Sequence, residues 1–339
     1  GIFDEARKGW RYPLEYNPKA KNAFKKSEWN QYRIVAYENS IATWVNGVQC
    51  ANLKEEAVEI GFIGLQVHAI KDEGLAGKEI RWRNIRLAEI TADDFREIEM
   101  VAPEVSYLKN TLTDQQIANG WKLLWDGKTT NGWRGSKLSA FPVKGWEIED
   151  GELSVLASDG GESSNGGDIV TLEEYENYIL EVDFKITEGA NSGIKYFVDT
   201  ELNQGTGSSI GCEFQILDDK KHPDAKKGVE GNRTKGSLYD LITADGAFYN
   251  PDLPKKKYVN ALGNWNRARI EVRGDIVSHY LNGCKLIEYN RAGQMWKALV
   301  AYSKYSKWTA FGERKSGHIL LQDHGDRVSF KNIKIKELN

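Results

Sequence analysis

Short segments in which apolar and polar residues alternate follow one another from about residue 112 onward. A period of two residues is typical of strands that bury one face. Clusters of Gly, Asn and Asp, which favour turns, separate the segments. This succession predicts an all-β fold, an antiparallel β-sandwich or jelly roll. The predicted strands are WKLLW, WEIEDGELSVL, YILEVDFKI, SGIKYFV, CEFQIL, RARIEVRG, IVSHYLNGCKLIEY, HILLQD and VSFKNIKIKEL.

The chain contains an internal repeat. Residues 2–53 align without a gap with residues 238–289, and Trp29/Trp265 and Asn46/Asn282 are among the identical pairs. Further on, Arg-Asn-Ile-Arg at 83–86 corresponds to Lys-Asn-Ile-Lys at 331–334. A repeat at this spacing predicts two copies of one domain in tandem. The offset changes across an insertion, MWKALVAYSKYSKW, whose spacing predicts a short helix.

The repeat also sets the predicted domain boundaries. Residues 1–90 correspond to the C-terminal half of a first jelly-roll domain, 91–111 to a linker, and 112–339 to a complete second domain. The first copy lacks the N-terminal half, and an isolated half of a sandwich would leave unpaired strand edges and a bare apolar face. We therefore expect a truncated or cleaved polypeptide, or a companion chain that supplies the missing half.

Composition excludes several classes of protein. The 339 residues carry 46 basic and 49 acidic side chains, a net charge of −3, which gives no electrostatic case for binding nucleic acid or an anionic membrane. No apolar run approaches the roughly 18 residues of a transmembrane segment, and the first residues do not form a signal peptide. The three cysteines are too few and too scattered for a disulfide framework or a zinc site.

Several predicted strands carry reactive side chains at positions assigned to an outer face. In CEFQIL, Cys212 and Phe214 fall on one face, whereas Glu213 and Gln215 fall on the other. General acid–base chemistry requires carboxylates, imidazoles or amines of this kind. We therefore expect a ligand cleft on the outer face of the sandwich. The expected cleft residues are Lys195, Glu213, Gln215, His279, Gln322 and His324.

Each of these residues also has a simpler interpretation. Glu213 and Lys195 can be solvated strand residues, and His279 or His324 can serve only in a turn. The acidic stretch after CEFQIL contains Asp218, Asp219, His222 and Asp224. Its three aspartates are weak candidates for a divalent metal site, with calcium or a transition metal as ligand, because hard oxygen donors cluster there. The same residues are equally typical of a polar turn.

The chain resembles the 3-keto-disaccharide hydrolase family, a domain often described as similar to glycoside hydrolase family 16. The blocks that carry the resemblance are GWKLLWDGKTTNGWRG, GGDIVT, NSGIKYFV, GCEFQILDD with HPDA, GSLYDL, WNRARIEVRGDIVSHYLNG and GHILLQDHGDRVSFKNIKIKEL. The resemblance covers residues 112–338 continuously, and residues 1–90 resemble the C-terminal half of the same domain. It implies a concanavalin A-like jelly roll, a carbohydrate substrate, and export to the periplasm or outer surface of a bacterium.

The chemistry implied by the resemblance is cleavage of glycosides that are oxidised at C3. A C3 ketone acidifies the C2 proton, so a base can remove it and the group at C1 can leave by β-elimination, with water added afterwards. We expect His279 or Glu213 to be the base and Lys195 to stabilise the enolate oxygen. The expected substrate-binding residues are Gln215, Asp218, His222, Tyr239, Gln322 and His324.

Where the second copy has His279, the first copy has Thr43. We therefore place activity in the second domain and expect an accessory role for the first. Two other functions stay open. A retaining glycosidase of the family-16 type would need paired carboxylates, whereas here the pattern is Glu213-x-Gln215-x-x-Asp218. A non-catalytic sugar-binding module is the second alternative, because jelly rolls commonly serve that purpose.

Overall fold

The computed structural model describes residues 1–5, 8–56, 60–67, 74, 77–158, 161–244 and 258–338. An antiparallel ribbon and an antiparallel three-stranded meander form the first part of the fold. Two short helices and a strand parallel to the last strand of the meander follow. These elements are β1 (Ile2–Asp4), β2 (Gly9–Tyr12), β3 (Tyr32–Tyr37), β4 (Ser40–Val45), β5 (Val48–Lys54), α1 (Ala92–Arg96), β6 (Glu104–Ser106) and α2 (Asp114–Ala118).

The remaining strands form an antiparallel sandwich, with one helix inserted before its last two strands. Its elements are β7 (Trp121–Leu123), β8 (Trp133–Gly135), β9 (Trp146–Glu149), β10 (Glu152–Val155), β11 (Ile169–Thr171), β12 (Tyr178–Ile186), β13 (Asn191–Asp199), β14 (Ile210–Leu217), β15 (Asn266–Arg273), β16 (Ile276–Leu281), β17 (Cys284–Asn290), α3 (Gln294–Ala301), β18 (His318–Leu321) and β19 (Val328–Glu337).

Two sheets of this sandwich enclose the main core. Sheet A has eight strands, with β17, β16, β15, β12, β19, β10 and β9 side by side in that order and β7 also paired with β19. Sheet B has five strands in the order β14, β13, β18, β11, β8. Buried side chains from both sheets meet in the core, among them Phe184 and Phe330 from sheet A and Ile194 and Phe214 from sheet B. The predicted all-β jelly roll is therefore confirmed.

The internal repeat is visible in the two meanders. Strands β4 and β5 align residue for residue with β16 and β17, and the pairing register shifts after Thr43 in one meander and after His279 in the other. Asn46 and Asn282 occupy the same turn with positive φ angles of 50° and 48°. A duplication of the whole domain stays a prediction.

The segments equivalent to β18 and β19 are not strands in the N-terminal part. The described residues 60–67 and 77–90 have no strand assignment, and many of their large apolar side chains are exposed. These side chains are Ile60, Phe62, Ile63, Leu65, Val67, Ile80, Trp82, Ile85 and Leu87. The companion chain predicted to complete this domain stays a prediction.

Residues 91–111, predicted as a linker, contain more structure than expected. Helix α1 begins with a capping box in which the Thr91 and Asp94 side chains each bond to the other's backbone N–H. Strand β6 then pairs in parallel with β5. Its three residues are too few to show an alternating pattern, so the sequence did not predict it. The helix predicted in the insertion is confirmed as α3, followed by a 3-10 turn at Lys304–Lys307.

The N-terminal part packs against the outer face of sheet A. The ring of Tyr107 lies between two guanidinium groups, with Cζ of Arg11 and Cζ of Arg267 at 3.6 Å and 4.1 Å from its centroid. Arg267, on β15, also donates two hydrogen bonds to Asp183 on β12, at 2.6 Å and 2.9 Å. This stack therefore joins the N-terminal part to the sandwich on the side away from sheet B.

All three cysteines, Cys50, Cys212 and Cys284, are buried and unpaired. Burial raises the pKa of the Cys212 thiol to about 12. In the part of the chain that the structure describes, no helix combines the length and hydropathy that a membrane span requires.

Candidate functional site

Lys195 and Glu213 lie directly opposite each other on the outer face of sheet B. In the antiparallel pairing of β13 with β14, Lys195 is the register partner of Glu213, and Gly193 is the partner of Gln215. The alternate residues, such as Phe214, face the core. Lys195, Glu213 and Gln215 therefore share the outer face, as the alternation in these two strands predicts.

The Glu213 carboxylate is buried and has few polar partners among the described residues. Glu213 is 4% exposed and Lys195 is 6% exposed, and 3.6 Å separates Oε2 of Glu213 from Nζ of Lys195. No described residue donates a hydrogen bond to this carboxylate. Gly193 makes its position possible, because a Cβ there would lie 2.5 Å from Oε1 of Glu213. The carboxylate is thus close-packed against the sheet but keeps its acceptor oxygens available.

The charges around Glu213 shift its ionisation. Burial raises the pKa of Glu213 above its usual value. The ammonium groups of Lys195 and Lys304 oppose this shift without cancelling it, whereas the Glu162 carboxylate adds to it. A carboxyl group with a raised pKa beside a specific charged partner is typical of a general base.

Lys195 is oriented by the loop that follows β13. Its Nζ donates to the Ser208 hydroxyl and, at 3.2 Å, to the carbonyl oxygen of Ser209. An ammonium group has three hydrogens. The third is therefore available for Glu213 or for a ligand in the cleft.

Two amide side chains next to this pair have buried oxygens that lack a donor. Gln215 donates from Nε2 to Oδ1 of Asn191 at 3.3 Å, and Gln322 donates from Nε2 to Oε1 of Glu162 at 3.0 Å. Among the described residues, neither Oε1 atom of these glutamines receives a hydrogen bond. A buried acceptor without a donor is costly unless a ligand or water supplies one. Sugar hydroxyl groups are suitable donors.

His222 and His324 lie together at one end of the site, with ring centroids 6.2 Å apart. Nδ1 of His222 accepts a hydrogen bond from the backbone N–H of Asp224 at 3.2 Å. Burial lowers the pKa of His222, and the His324 ring adds to this shift. His222 is therefore neutral near pH 7, with its proton on Nε2.

Tyr239 is held by contacts around both its ring and its hydroxyl. The hydroxyl donates to Oδ2 of Asp224 at 2.8 Å, and Nζ of Lys304 lies 4.2 Å from the ring centroid. Arg233 bonds the other oxygen of Asp224 at 3.1 Å. Tyr239 and Lys304 therefore lie together close to Glu213.

The three aspartates of the candidate metal site already accept hydrogen bonds from the protein. Asp218 accepts backbone N–H bonds from Gly189 at 2.9 Å and Lys220 at 3.0 Å. Although burial acts to raise the pKa of Asp218, these donors hold it below its usual value. Asp219 accepts a backbone N–H bond at 2.7 Å, and Asp224 bonds the side chains described above. Across the described ranges, no three His, Cys, Asp or Glu side chains are grouped to hold a metal ion.

The placement of His279 on the outer face is wrong. His279 is 0% exposed and lies in the core between the sheets, 5.0 Å from the ring centroid of Phe214. Nδ1 donates to the carbonyl oxygen of Gly236 at 3.0 Å, and Nε2 accepts from the Tyr196 hydroxyl at 2.7 Å. Burial lowers the pKa of His279 to about 4. The difference between His279 and Thr43 therefore says nothing about which domain is active.

Sequence reasoning missed several residues of the site. Asp168, Glu162 and Lys304 come from segments outside the strands that carry Lys195 and Glu213. Lys304 belongs to the insertion, for which the sequence predicts only a helix. Asp168 belongs to GGDIVT, which contributes only to the resemblance to the 3-keto-disaccharide hydrolase family. No pattern in the sequence shows that these segments fold over sheet B.

The comparisons with known proteins agree with this fold. Residues 2–88 and 120–336 match the family described as the 3-keto-alpha-glucoside-1,2-lyase-like domain. The chain belongs to this family. The match confirms the family predicted from the sequence and the expectation that the chain is an enzyme.

Two proteins that are similar to this chain are informative. The 3-keto-disaccharide hydrolase of Bacteroides thetaiotaomicron is 37% identical over 242 residues, which are 66% of this chain and 80% of the relative. A solved structure from Parabacteroides distasonis, assigned to the glycosyl hydrolases, is 30% identical with a TM-score of 0.58. That match covers 68% of this chain and 100% of the solved chain.

Proposed function

We propose that this chain cleaves glycosides that carry a ketone at C3 of a glucose unit, by removing the C2 proton and eliminating the group at C1. Family membership and the name of the 37% identical relative support the substrate class. The buried pair of Lys195 and Glu213 supports the elimination route, because it supplies a base and a cation side by side.

The proposed reaction begins when Glu213 takes the C2 proton. The electron pair of the C2–H bond moves into a C2–C3 double bond, and the ketone becomes an enolate oxygen. The enolate then collapses, a C1–C2 double bond forms, and the C1–O bond to the leaving group breaks. The leaving oxygen takes a proton. Addition of water across the new double bond, with OH at C1 and H at C2, completes net hydrolysis.

The unbonded carboxylate of Glu213 is the observation that carries this proposal. It is buried, receives no hydrogen bond from the described residues, and has a raised pKa. Such a carboxylate is a stronger base than a solvated one and keeps an oxygen open for the C2 proton. A purely structural carboxylate would be expected to accept hydrogen bonds.

Lys195 is the proposed partner of the enolate oxygen. Its ammonium group has one hydrogen not used by Ser208 and Ser209, and it lies in a site with little exposure to water. A fixed cation in such a site stabilises negative charge that develops during the reaction. His324, whose ring lies beside that of His222, is the proposed proton donor to the leaving oxygen.

The amide oxygens of Gln215 and Gln322 are proposed to accept hydrogen bonds from sugar hydroxyl groups.

The retaining-glycosidase alternative lacks similar support, since Gln215 stands where a second carboxylate would be needed. Asp218 is also occupied by backbone N–H groups.

The deciding experiment compares 4-nitrophenyl 3-keto-glucosides of both anomers with the unoxidised glucosides. We expect nitrophenol to be released from a 3-keto-glucoside but not from the unoxidised glucosides. We also expect the C2 hydrogen of the keto substrate to exchange with deuterium in D₂O. Glu213→Gln should lower kcat by at least about 100-fold, the usual contribution of a general base. The matched control is Glu149→Gln, a strand carboxylate that is exposed and away from the cleft.

Other outcomes would contradict the proposal in different ways. Release from the plain glucosides without C2 exchange would indicate an ordinary glycosidase. Sugar binding without release from any substrate would indicate a binding module. Loss of activity on chelation would show that a metal ion supplies a step here assigned to Lys195.

A further inference from the structure

Asp168 is a buried carboxylate with no role in the mechanism above. It is 1% exposed and immediately precedes β11. Oδ1 accepts from the Ser163 hydroxyl at 2.9 Å and from the backbone N–H of Asp323 at 3.0 Å. Oδ2 accepts from the Ser208 hydroxyl and from the backbone N–H of Ser209 at 3.3 Å. Asp168 therefore ties together three segments that lie beside the cleft.

Ser208 connects this carboxylate to Lys195. The Ser208 hydroxyl accepts a hydrogen bond from Nζ of Lys195 and donates its own hydrogen to Asp168. Ser209 makes a second link, because its carbonyl oxygen accepts from Lys195 and its backbone N–H donates to Asp168. Two parallel chains of hydrogen bonds thus run from the ammonium group to one carboxylate.

The charges support the same link. Burial raises the pKa of Asp168, while the Lys195 ammonium and the Ser208 hydroxyl oppose that shift. Two carboxylates therefore act on Lys195: Glu213, with Oε2 at 3.6 Å from Nζ, and Asp168 through the two serines. Asp168 is reached only through Ser208 and Ser209, so it cannot take the place of the base.

We propose that Asp168 is a positioning residue, which acts through Ser208 and Ser209 to direct the free hydrogen of Lys195 toward the ketone oxygen of the substrate. The inference rests on the function proposed above. It predicts that weakening this link reduces the rate of the chemical step more than it reduces substrate binding.

The test uses Ser208→Ala and Asp168→Asn, with Ser163→Ala as the matched control. Each serine variant removes one hydrogen bond to Asp168, but only Ser208 also contacts Lys195. With the 3-keto-glucoside, Ser208→Ala and Asp168→Asn should lower kcat about tenfold or more, the effect of losing a hydrogen bond to a charged group. KM should change less than about threefold, and Ser163→Ala should behave as wild type.

A second measurement does not depend on activity. Site-resolved mass spectrometry after brief acetylation reports how readily the Lys195 amine reacts. It should react about tenfold faster in Ser208→Ala than in wild type, and at the wild-type rate in Ser163→Ala. If the wild type failed to cleave the keto substrate while Lys195 still followed this pattern, the proposed function would be wrong, and only the link from Asp168 through Ser208 to Lys195 would stand.

Equal effects of Ser208→Ala and Ser163→Ala on both kcat and Lys195 acetylation would overturn the inference. So would unchanged kcat and unchanged acetylation in Ser208→Ala. If Asp168→Asn does not fold, Ser208→Ala decides the matter by itself, because it leaves the buried carboxylate in place.

Discussion

His279 and Glu213 are both strand residues that can transfer a proton, yet their surroundings give them different roles. Both ring nitrogens of His279 are used inside the core, and burial lowers its pKa to about 4. Glu213 lies on the outer face of sheet B, receives no hydrogen bond from the described residues, and has a raised pKa. The number of protein partners, rather than the residue type, separates the candidate base from the structural histidine.

Lys304 should set the pH at which the base becomes active. Its positive charge lowers the pKa of Glu213, so removing it in Lys304→Gln raises that pKa further. A base works only when deprotonated, so the acidic limb of the kcat/KM profile should move to higher pH in the variant. A pH–rate series on the 3-keto-glucoside measures this shift.

The control for Lys304→Gln is Lys297→Gln, which removes an exposed lysine from α3. It should leave the acidic limb where it is in the wild type. The assignment of Glu213 as the base would be contradicted if the acidic limb of the kcat/KM profile moved to lower pH in Lys304→Gln. It would also be contradicted if the limb moved equally in both variants.

The sequence predicted the faces of some site residues and not others, for a physical reason. Alternation in β13 and β14 correctly grouped Lys195 with Glu213 and Gln215. The same alternation places His279 with Val277 and Leu281, both buried in the core. The chemical versatility of imidazole favours the outer face for His279, whereas the period of the strand predicts the core, where the structure places it.

At the scale of elements, the length of a strand affected whether it could be predicted. The predicted segments overlap every sandwich strand of four residues or more, and also the three-residue β7, which lies in WKLLW. β8 and β11 have three residues each, which is too few to establish a period. The loops that cover sheet B have no periodic pattern, so the depth at which Lys195 and Glu213 are buried could not be predicted.

Gly193 in β13 should be required for the position of the Glu213 carboxylate. In Gly193→Ala the new Cβ would lie 2.5 Å from Oε1 and 2.8 Å from Cδ of Glu213, so that side chain must move. Catalysis is sensitive to displacements of about 1 Å, so kcat/KM should fall about 100-fold. Steady-state kinetics and thermal unfolding of the same preparations provide the measurement.

The matched control is Gly61→Ala, where nothing lies within 4 Å of an added Cβ. It should retain full activity. If Gly193→Ala were as active as the control, activity would not depend on the position of the Glu213 carboxylate. That result would contradict its role as the base.

At the scale of the molecule, the two outer faces of the sandwich have separate tasks. The outer face of sheet B carries the candidate site, and that of sheet A holds the N-terminal part through Tyr107 and its two arginines. The sequence predicted both parts through the repeat. It could not predict their contact, because a stack of Arg11, Tyr107 and Arg267 joins residues far apart in the chain.

Tyr107→Ala should therefore destabilise the protein without affecting catalysis. Loss of a buried aromatic ring and two cation–π contacts should lower the free energy of unfolding by about 3 kcal/mol. The value of kcat/KM should stay within about twofold of wild type, since the stack lies on the face opposite the cleft. Denaturant unfolding and steady-state kinetics measure the two effects.

Tyr107→Phe keeps the ring between the guanidinium groups and should retain most of the stability. A large loss of activity in Tyr107→Ala, with Tyr107→Phe unaffected, would show that the two faces are coupled through the core.

The three buried cysteines can serve as internal probes of local unfolding. Cys50 lies in β5, Cys212 in β14 and Cys284 in β17, so each reports on a different sheet. A thiol that is shielded in the folded state reacts with an alkylating reagent only while its surroundings are open. The order in which the three cysteines are alkylated would show whether the N-terminal part, sheet B or sheet A opens first.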